Sequence, residues 1–240
     1  ITTTAVCGKT IPNHAVADLV LGQMNFTTNT PSTTQTGLSY PSGIAIDPVT
    51  RKVFVADKFN ARVLRYGSAN GLANGAPAEA VLGQANFTTA AAPSPTTAQS
   101  MNYASGLCLD RQGRLWVADS DNNRVLMFAA ASAIGSTTSA NRVYGQPDFS
   151  SITAATSATQ MSFPRGLWVD SSDRLWVADS YNNRVLRFDD VSNKPSGAAA
   201  SGVLGQPNFT TGTLGDGAAS LNYPTGIAVS PSGALFVASS

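Results

Sequence analysis

Short apolar runs recur along the chain, and residues that favour turns separate them. In a run such as Leu115-Trp116-Val117-Ala118, apolar residues occupy successive positions, whereas a sheet with one solvent-facing side alternates apolar and polar residues. The runs are rich in β-branched and aromatic residues, which favour strands. The pattern therefore predicts an all-β protein whose sheets are buried on both faces.

The runs also repeat with a period near 60 residues. The glycine of the first run in each period marks this spacing, at Gly43, Gly106, Gly166 and Gly226. In the second period the four runs are 103–110, 115–119, 123–126 and 143–146. Four runs per period predict four-stranded units, and a radial array of such sheets protects their edges. The chain is accordingly predicted to be a single β-propeller domain, residues 1–240.

Three strings give this repeat a family resemblance: YPSGIAID…KVFVADKFNARVLRY, GLCLD…RLWVADSDNNRVLMF and PRGLWVD…RLWVADSYNNRVLRF. They resemble NHL repeats, whose pattern is a Pro-x-Gly-Ile-Ala-Val-Asp strand, a Val-Ala-Asp strand and an Asn-x-Arg-hydrophobic strand. The units here carry an extra arm before a Val-Leu-Gly-Gln run. The resemblance implies a propeller of four-stranded blades, most often six in that family.

The two ends of the sequence are in phase with the repeat. The fourth period ends at Ser240 after its second run, while residues 4–6 match a third run and residues 20–23 a fourth. We therefore predict four blades closed by the N-terminal strand, with residues 3–7 pairing beside 235–238. The alternative is a fragment of a six-bladed propeller.

Composition narrows the class of function. Hydrophobic residues make up 42% of the 240, enough for a core, and charged residues only 12%. The 15 Lys and Arg against 14 Asp and Glu leave a net charge of +1, which argues against a nucleic-acid binder. No apolar run approaches the roughly 20 residues of a membrane span. Cys7 and Cys108 fall in different units, so no disulfide is predicted between them.

Three polar pairs recur where the second run meets the third. They are Asp57 with Arg62, Asp119 with Arg124, and Asp179 with Arg184. A ring of binding groups around the channel is one interpretation. The structural interpretation is favoured, because every complete unit has the pair and because Asp commonly stabilises such turns while Arg reaches back across the hairpin.

A binding site is expected to break the internal symmetry. Phe59 and Tyr181 do so at the turn where the second unit has Asp121, and they are predicted to contact a ligand. Trp168 also breaks the symmetry, but its place in a doubly packed strand predicts a core residue. His14 is the only histidine, so the zinc site of the amidating lyases related to NHL proteins is not expected. No catalytic residue and no resident cofactor are predicted.

Asn25, Asn86 and Asn208 each begin an Asn-Phe-Thr sequence, which matches the acceptor for N-glycosylation. The third unit has Asp148-Phe149-Ser150 at the same place. Because Asp also stabilises turns, this exchange favours a structural turn. Both roles are compatible.

Three functions remain open from the sequence. The leading one is a secreted or cell-surface, non-catalytic scaffold or recognition module that binds a protein or glycan or assembles with itself. The second is a lectin-like glycan-binding propeller. The third is a lyase or hydrolase with a divalent ion such as calcium in the channel, which rests on analogy of fold.

Overall fold

The computed structural model describes residues 16–240 as sheets that follow the sequence period. Blade 1 contains β1 (Pro41–Ile46), β2 (Lys52–Asp57), β3 (Arg62–Ser68) and β4 (Ala80–Leu82). Blade 2 contains β5 (Ala104–Leu109), β6 (Leu115–Asp119), β7 (Arg124–Phe128) and β8 (Arg142–Tyr144). Blade 3 contains β9 (Pro164–Val169), β10 (Leu175–Asp179), β11 (Arg184–Phe188) and β12 (Gly202–Leu204). Blade 4 contains β13 (Gly226–Val229) and β14 (Leu235–Ala238).

Every blade is an antiparallel meander in which consecutive strands are neighbours. In blade 2, Val117 of β6 lies opposite Leu107 of β5 and Leu126 of β7. Between residues 16 and 240, five short 3-10 helices lie in the connections: Lys58–Asn60, Ala69–Gly71, Ser120–Asn122, Ala131–Ala133 and Ser180–Asn182. The prediction of an all-β propeller built from repeating strands is confirmed.

Apolar side chains fill the spaces between the blades, as the unbroken apolar runs predict. Phe54 and Val63 on one face of blade 1 share a cluster with Val117, Leu126 and Phe128 of blade 2. The opposite face of blade 2 forms a second such cluster with blade 3. Burying a side chain of this size contributes on the order of 2 kcal/mol, so the inter-blade layers supply most of the core stabilisation.

The first strands of the blades, β1, β5, β9 and β13, pack side by side in that order along the inside of the array. Their glycines allow this close approach. A Cβ atom built on Gly106 would lie 2.1 Å from the Arg165 carbonyl oxygen, and one on Gly43 would lie 2.2 Å from that of Ser105. Only glycine fits at these inter-blade contacts.

The outward faces of the first and last blades carry exposed apolar side chains within the described residues. Ile44 of β1 is 65% exposed and Phe236 of β14 is 62% exposed. The predicted closing strand, residues 3–7, lies outside the described residues. Closure through it therefore stays a prediction.

Two expectations from the sequence were wrong. Residues 20–23, predicted as a fourth-run strand, contain no strand, and residues 21–23 form bends. Gly22 nevertheless lies against Leu38, just before blade 1, and Gly83, just after β4, lies against Met101, just before blade 2. Residues 20–23 therefore pack against blade 1 in the way that the residues after β4 pack against blade 2. Trp168, predicted as core, is 38% exposed in β9, at the boundary with blade 4.

Candidate ligand-binding site

The repeated Asp–Arg pairs close the hairpin between the second and third strand of each complete blade. In blade 2, Arg124 Nε donates to Asp119 Oδ2 at 2.7 Å, and neither side chain is exposed. Asn122 Nδ2 donates to the same carboxylate oxygen at 2.9 Å, and the Asn102 amide donates to Oδ1 at 2.7 Å. The Asp57–Arg62 and Asp179–Arg184 pairs have the same geometry, at 2.6 and 2.7 Å.

The remaining guanidinium nitrogens of these arginines bind backbone carbonyls. Arg124 donates to Thr97 and Ser100 in the segment that enters blade 2, and to Phe149 in the segment that leaves it. Burial raises the pKa of Asp119, while the Arg124 charge and the hydrogen bonds act to lower it. Each pair thus ties its hairpin to the segments that enter and leave the blade, and its structural role stays a prediction.

The 3-10 turns that follow the second strands bring Phe59 and Tyr181 to the same edge of the array as a second set of aromatic residues. The second set lies just before the first strands, one residue before β1, β5 and β9 and three residues before β13: Tyr40, Tyr103, Phe163 and Tyr223. Adjacent rings contact one another from blade 1 to blade 4. We call the six residues, Tyr40, Phe59, Tyr103, Phe163, Tyr181 and Tyr223, the aromatic arc.

Ring centroids along the aromatic arc are separated by 4.3 to 6.0 Å. Phe163 and Tyr181 are stacked, with an interplanar angle of 12°, and the other pairs are tilted or edge-on. Tyr40 is 64% exposed and Tyr181 51%. An exposed aromatic surface of this extent is typical of an interaction site.

The backbone holds four of these rings in an unusual conformation. Tyr40, Tyr103, Phe163 and Tyr223 have φ values between 44° and 64°. This left-handed region is uncommon for bulky residues. Asn123 Oδ1 of blade 2 accepts the Phe163 amide at 2.9 Å, and Asn183 Oδ1 of blade 3 accepts that of Tyr223 at 3.0 Å. Blades 2 and 3 thus each position an aromatic residue of the next blade.

Two cationic side chains lie against the aromatic arc. Lys58 Nζ is 4.1 Å from the centroid of the Tyr103 ring, and the Arg165 guanidinium is 5.2 Å from that of Phe163. Both line a cavity of about 220 Å³ between the starts of the first strands, together with Ser42, Ser105 and Thr225. We call this cavity the channel mouth. It places cations, hydroxyl groups and aromatic rings next to one another.

Sequence reasoning found only part of this site. It selected Phe59 and Tyr181 and missed the four aromatic residues at the first strands, as well as Lys58 and Arg165. The missed aromatic residues were visible as a tyrosine or phenylalanine at the same place in each period. Because these residues recur in every period, the pattern indicates a role in the fold. Residues that recur in every blade can, however, also form a continuous exposed surface.

The three predicted acceptors for N-glycosylation lie in turns on the exposed arms. Asn86 Oδ1 accepts hydrogen bonds from the amide and hydroxyl of Thr88, both at 2.9 Å. Asn25 and Asn208 form the same turn, and Asp148 forms it with Ser150. The turn has the form that the structural interpretation predicts, and glycosylation stays a prediction.

His14 and Cys7 lie outside the described residues. Cys108 is a buried free thiol, and burial raises its pKa to about 11. Across residues 16–240, no three His, Cys, Asp or Glu side chains are grouped closely enough to hold a metal ion. Within the same range, no helix has the length and apolar character needed to cross a membrane.

Comparison with known proteins identifies the repeat. A sequence model described as the NHL repeat matches residues 101–128 and 161–188, which cover β5–β7 of blade 2 and β9–β11 of blade 3. Blades 2 and 3 each contain an NHL repeat, within a β-propeller fold. No curated protein sequence matches the chain.

Solved structures similar to this NHL-repeat protein share its fold at low sequence identity. A putative 6-phosphogluconolactonase from Bacteroides uniformis has a TM-score of 0.54 and 13% identity, over 88% of this chain and 52% of that one. A streptogramin B lyase has a TM-score of 0.50 and 14% identity, over 92% and 52%. Hydrazine synthase from Kuenenia stuttgartiensis has a TM-score of 0.50 and 10% identity, over 87% and 43%. The matched region is thus about half the length of these structures.

Proposed function

We propose that this NHL-repeat propeller is a non-catalytic recognition module of the cell surface or extracellular space, and that the aromatic arc is its binding face. The observation that carries the proposal is the continuous contact of six aromatic rings across four blades at one edge of the array. The Asp–Arg pairs, by contrast, are occupied within the fold.

The chemistry of the aromatic arc supports recognition. Large aromatic side chains supply much contact area for little loss of conformational freedom, and they dominate the energetics of many interfaces. The positive φ values of four arc residues are a further support, because strained backbone often marks a binding site. NHL propellers are often protein-binding, and a protein or a glycan is the proposed partner.

Removing rings from the aromatic arc is the direct test. The double variant Phe59→Ala/Tyr181→Ala is expected to fold with a melting temperature near that of the native protein, since both side chains are about half exposed. Surface plasmon resonance against panels of purified extracellular proteins and glycans should show loss of at least ten-fold in affinity for any bound partner. Val49→Ala is the matched control, because Val49 is 85% exposed in the β1–β2 turn, at the opposite end of the strands. Partners that bind the native and double-variant proteins equally would exclude the aromatic arc as the binding face.

A second candidate function is assembly, and the exposed end faces favour it. Ile44 and Phe236 present apolar surface at the two ends of the array, where the inner blades bury theirs against each other. An extracellular assembly that covers these faces fits the scaffold role. Sedimentation velocity over a range of protein concentrations tests it, and a monomer at all concentrations would argue against it.

A further inference from the structure

We propose that the ligand of the channel mouth is an anionic saccharide. The aromatic arc contacts its sugar rings, and Lys58 and Arg165 bind its acidic group. This inference rests on the proposed recognition function and names the ligand class. The juxtaposition of two cations, exposed rings and hydroxyl groups carries it.

Lys58 and Arg165 differ from the arginines that maintain the fold. Arg62, Arg124 and Arg184 are fully buried in ion pairs. Lys58 and Arg165, by contrast, form no ion pair with any residue in 16–240. Both are half-buried against aromatic rings. The rings fix the cations without neutralising them, so their charge is available to a bound anion.

The acidic groups nearby do not cancel this charge. Asp121, exposed on the turn after β6, is the carboxylate whose pKa responds to Lys58: burial raises that pKa and the Lys58 charge lowers it. Asp57, Asp119 and Asp179 are fully buried in their own ion pairs. The channel mouth therefore presents two cations against one exposed carboxylate.

The hydroxyl groups around the site suit a ligand that both donates and accepts hydrogen bonds. Tyrosine phenols do both, and Tyr40, Tyr181 and Tyr223 of the aromatic arc are exposed to a ligand. Ser42 donates its proton to the inter-blade carbonyls of Ala104 and Ser105, so its oxygen remains an acceptor for the ligand. The Ser105 hydroxyl is hydrogen-bonded at 2.6 Å to that of Ser120, which in turn donates to the Pro164 carbonyl. A saccharide offers many hydroxyl groups together with apolar ring faces, and it matches this combination.

Other anionic macromolecules match it less well. A nucleic-acid backbone needs a continuous cationic track, and two cations in a chain of net charge +1 do not form one. An acidic peptide can pair with Lys58 and Arg165, but it supplies few hydroxyl groups for the four phenols. Binding of such a peptide is the alternative outcome of the test.

A glycan array made of matched pairs tests the inference. The pairs are oligogalacturonates with their methyl esters, and sulfated with desulfated oligosaccharides, probed with the native protein at low and physiological salt. We expect the anionic member of at least one pair to bind about ten-fold tighter than its neutral counterpart, and the difference to shrink as salt rises.

Two variants and a control assign the effect to the channel mouth. Lys58→Gln and Arg165→Gln should each weaken anionic binding several-fold while the melting temperature stays near that of the native protein. Arg111→Gln is the matched control, because Arg111 is exposed in the β5–β6 turn, at the opposite ends of the strands, and should leave binding unchanged.

The outcomes separate this inference from the proposed function. Equal binding of neutral and anionic members, or anionic binding unaffected by both cation variants, would overturn the inference. If no glycan binds but an acidic or other protein partner depends on Phe59 and Tyr181, the inference fails and the recognition function stands. If no partner responds to the arc variants, both fail.

Discussion

At the scale of single residues, the molecule separates buried polar groups that act within the fold from exposed groups that face outward. Asp119 and Arg124 are wholly inaccessible and contact only the protein. Tyr40 and Tyr181 are more than half exposed and contact mainly other rings. The first set is therefore expected to govern stability and the second to govern binding.

Asp119→Ala tests the first half of this division. It leaves the Arg124 guanidinium buried without its counter-ion and the Asn102 amide without its acceptor. The expected loss in the free energy of unfolding is about 3 kcal/mol, measured by urea denaturation. The control is Asp121→Ala, two residues away and exposed, which should change it by less than about 0.5 kcal/mol. Unaltered stability in Asp119→Ala together with loss of a ligand would instead show that the repeated polar pairs form a binding ring.

The sequence predicted the Asp–Arg hairpins because the residues that make them are adjacent in a repeated string. It did not predict the full aromatic arc, because Tyr103 and Phe163 are 60 residues apart and meet only after two blades pack. The search for residues that break the repeat also worked against them. Residues that recur at the same place in every blade do not break the repeat, so this search cannot find a surface that they form together.

At the scale of elements, the predicted strands were right wherever a run is apolar throughout and has a neighbour on each side. Residues 115–119 and 175–179 are fully buried strands for this reason. Residues 20–23 include the glycine of the fourth run and contain no strand, with bends at 21–23.

Gly106→Ala tests the contact between first strands. The added Cβ would lie 2.1 Å from a backbone carbonyl of blade 3, so the two blades must separate to accept it. We expect a loss of about 2 kcal/mol or more in the free energy of unfolding by chemical denaturation. Gly135→Ala is the control, since nothing lies within 4 Å of its Cβ position. Equal stability of the two variants would show that the inter-blade approach is not tight.

At the scale of the whole molecule, the blades form a consecutive array whose two end faces differ from its interior. Inner faces are covered by the next blade, whereas Ile44 and Phe236 are exposed. The phase of the repeat predicted that residues 3–7 complete the last blade. The period alone could not predict the distance between the first and the last blade, because that distance depends on the angle between neighbouring sheets.

Deletion of residues 1–7 tests closure. If they add a strand beside β14, their removal uncovers a strand edge and apolar surface, and a loss of about 2 kcal/mol would lower the melting temperature by roughly 4–8 °C. Binding of a hydrophobic dye should rise in parallel. The comparison variant, Thr4→Ser, keeps the segment and should melt like the native protein. A deletion protein with unchanged melting temperature and dye binding would rule out the closing strand.

The aromatic arc has a mechanical consequence, since its rings come from different blades. Phe59 with Tyr103, Tyr103 with Phe163, and Tyr181 with Tyr223 each bridge a blade boundary, so the curvature of the arc follows the tilt of every blade. A rigid ligand bound along the aromatic arc would restrict changes in the angle between neighbouring blades. By linkage, any change that alters the tilt of one blade would then tune affinity across the whole face, without a substitution at the ligand itself.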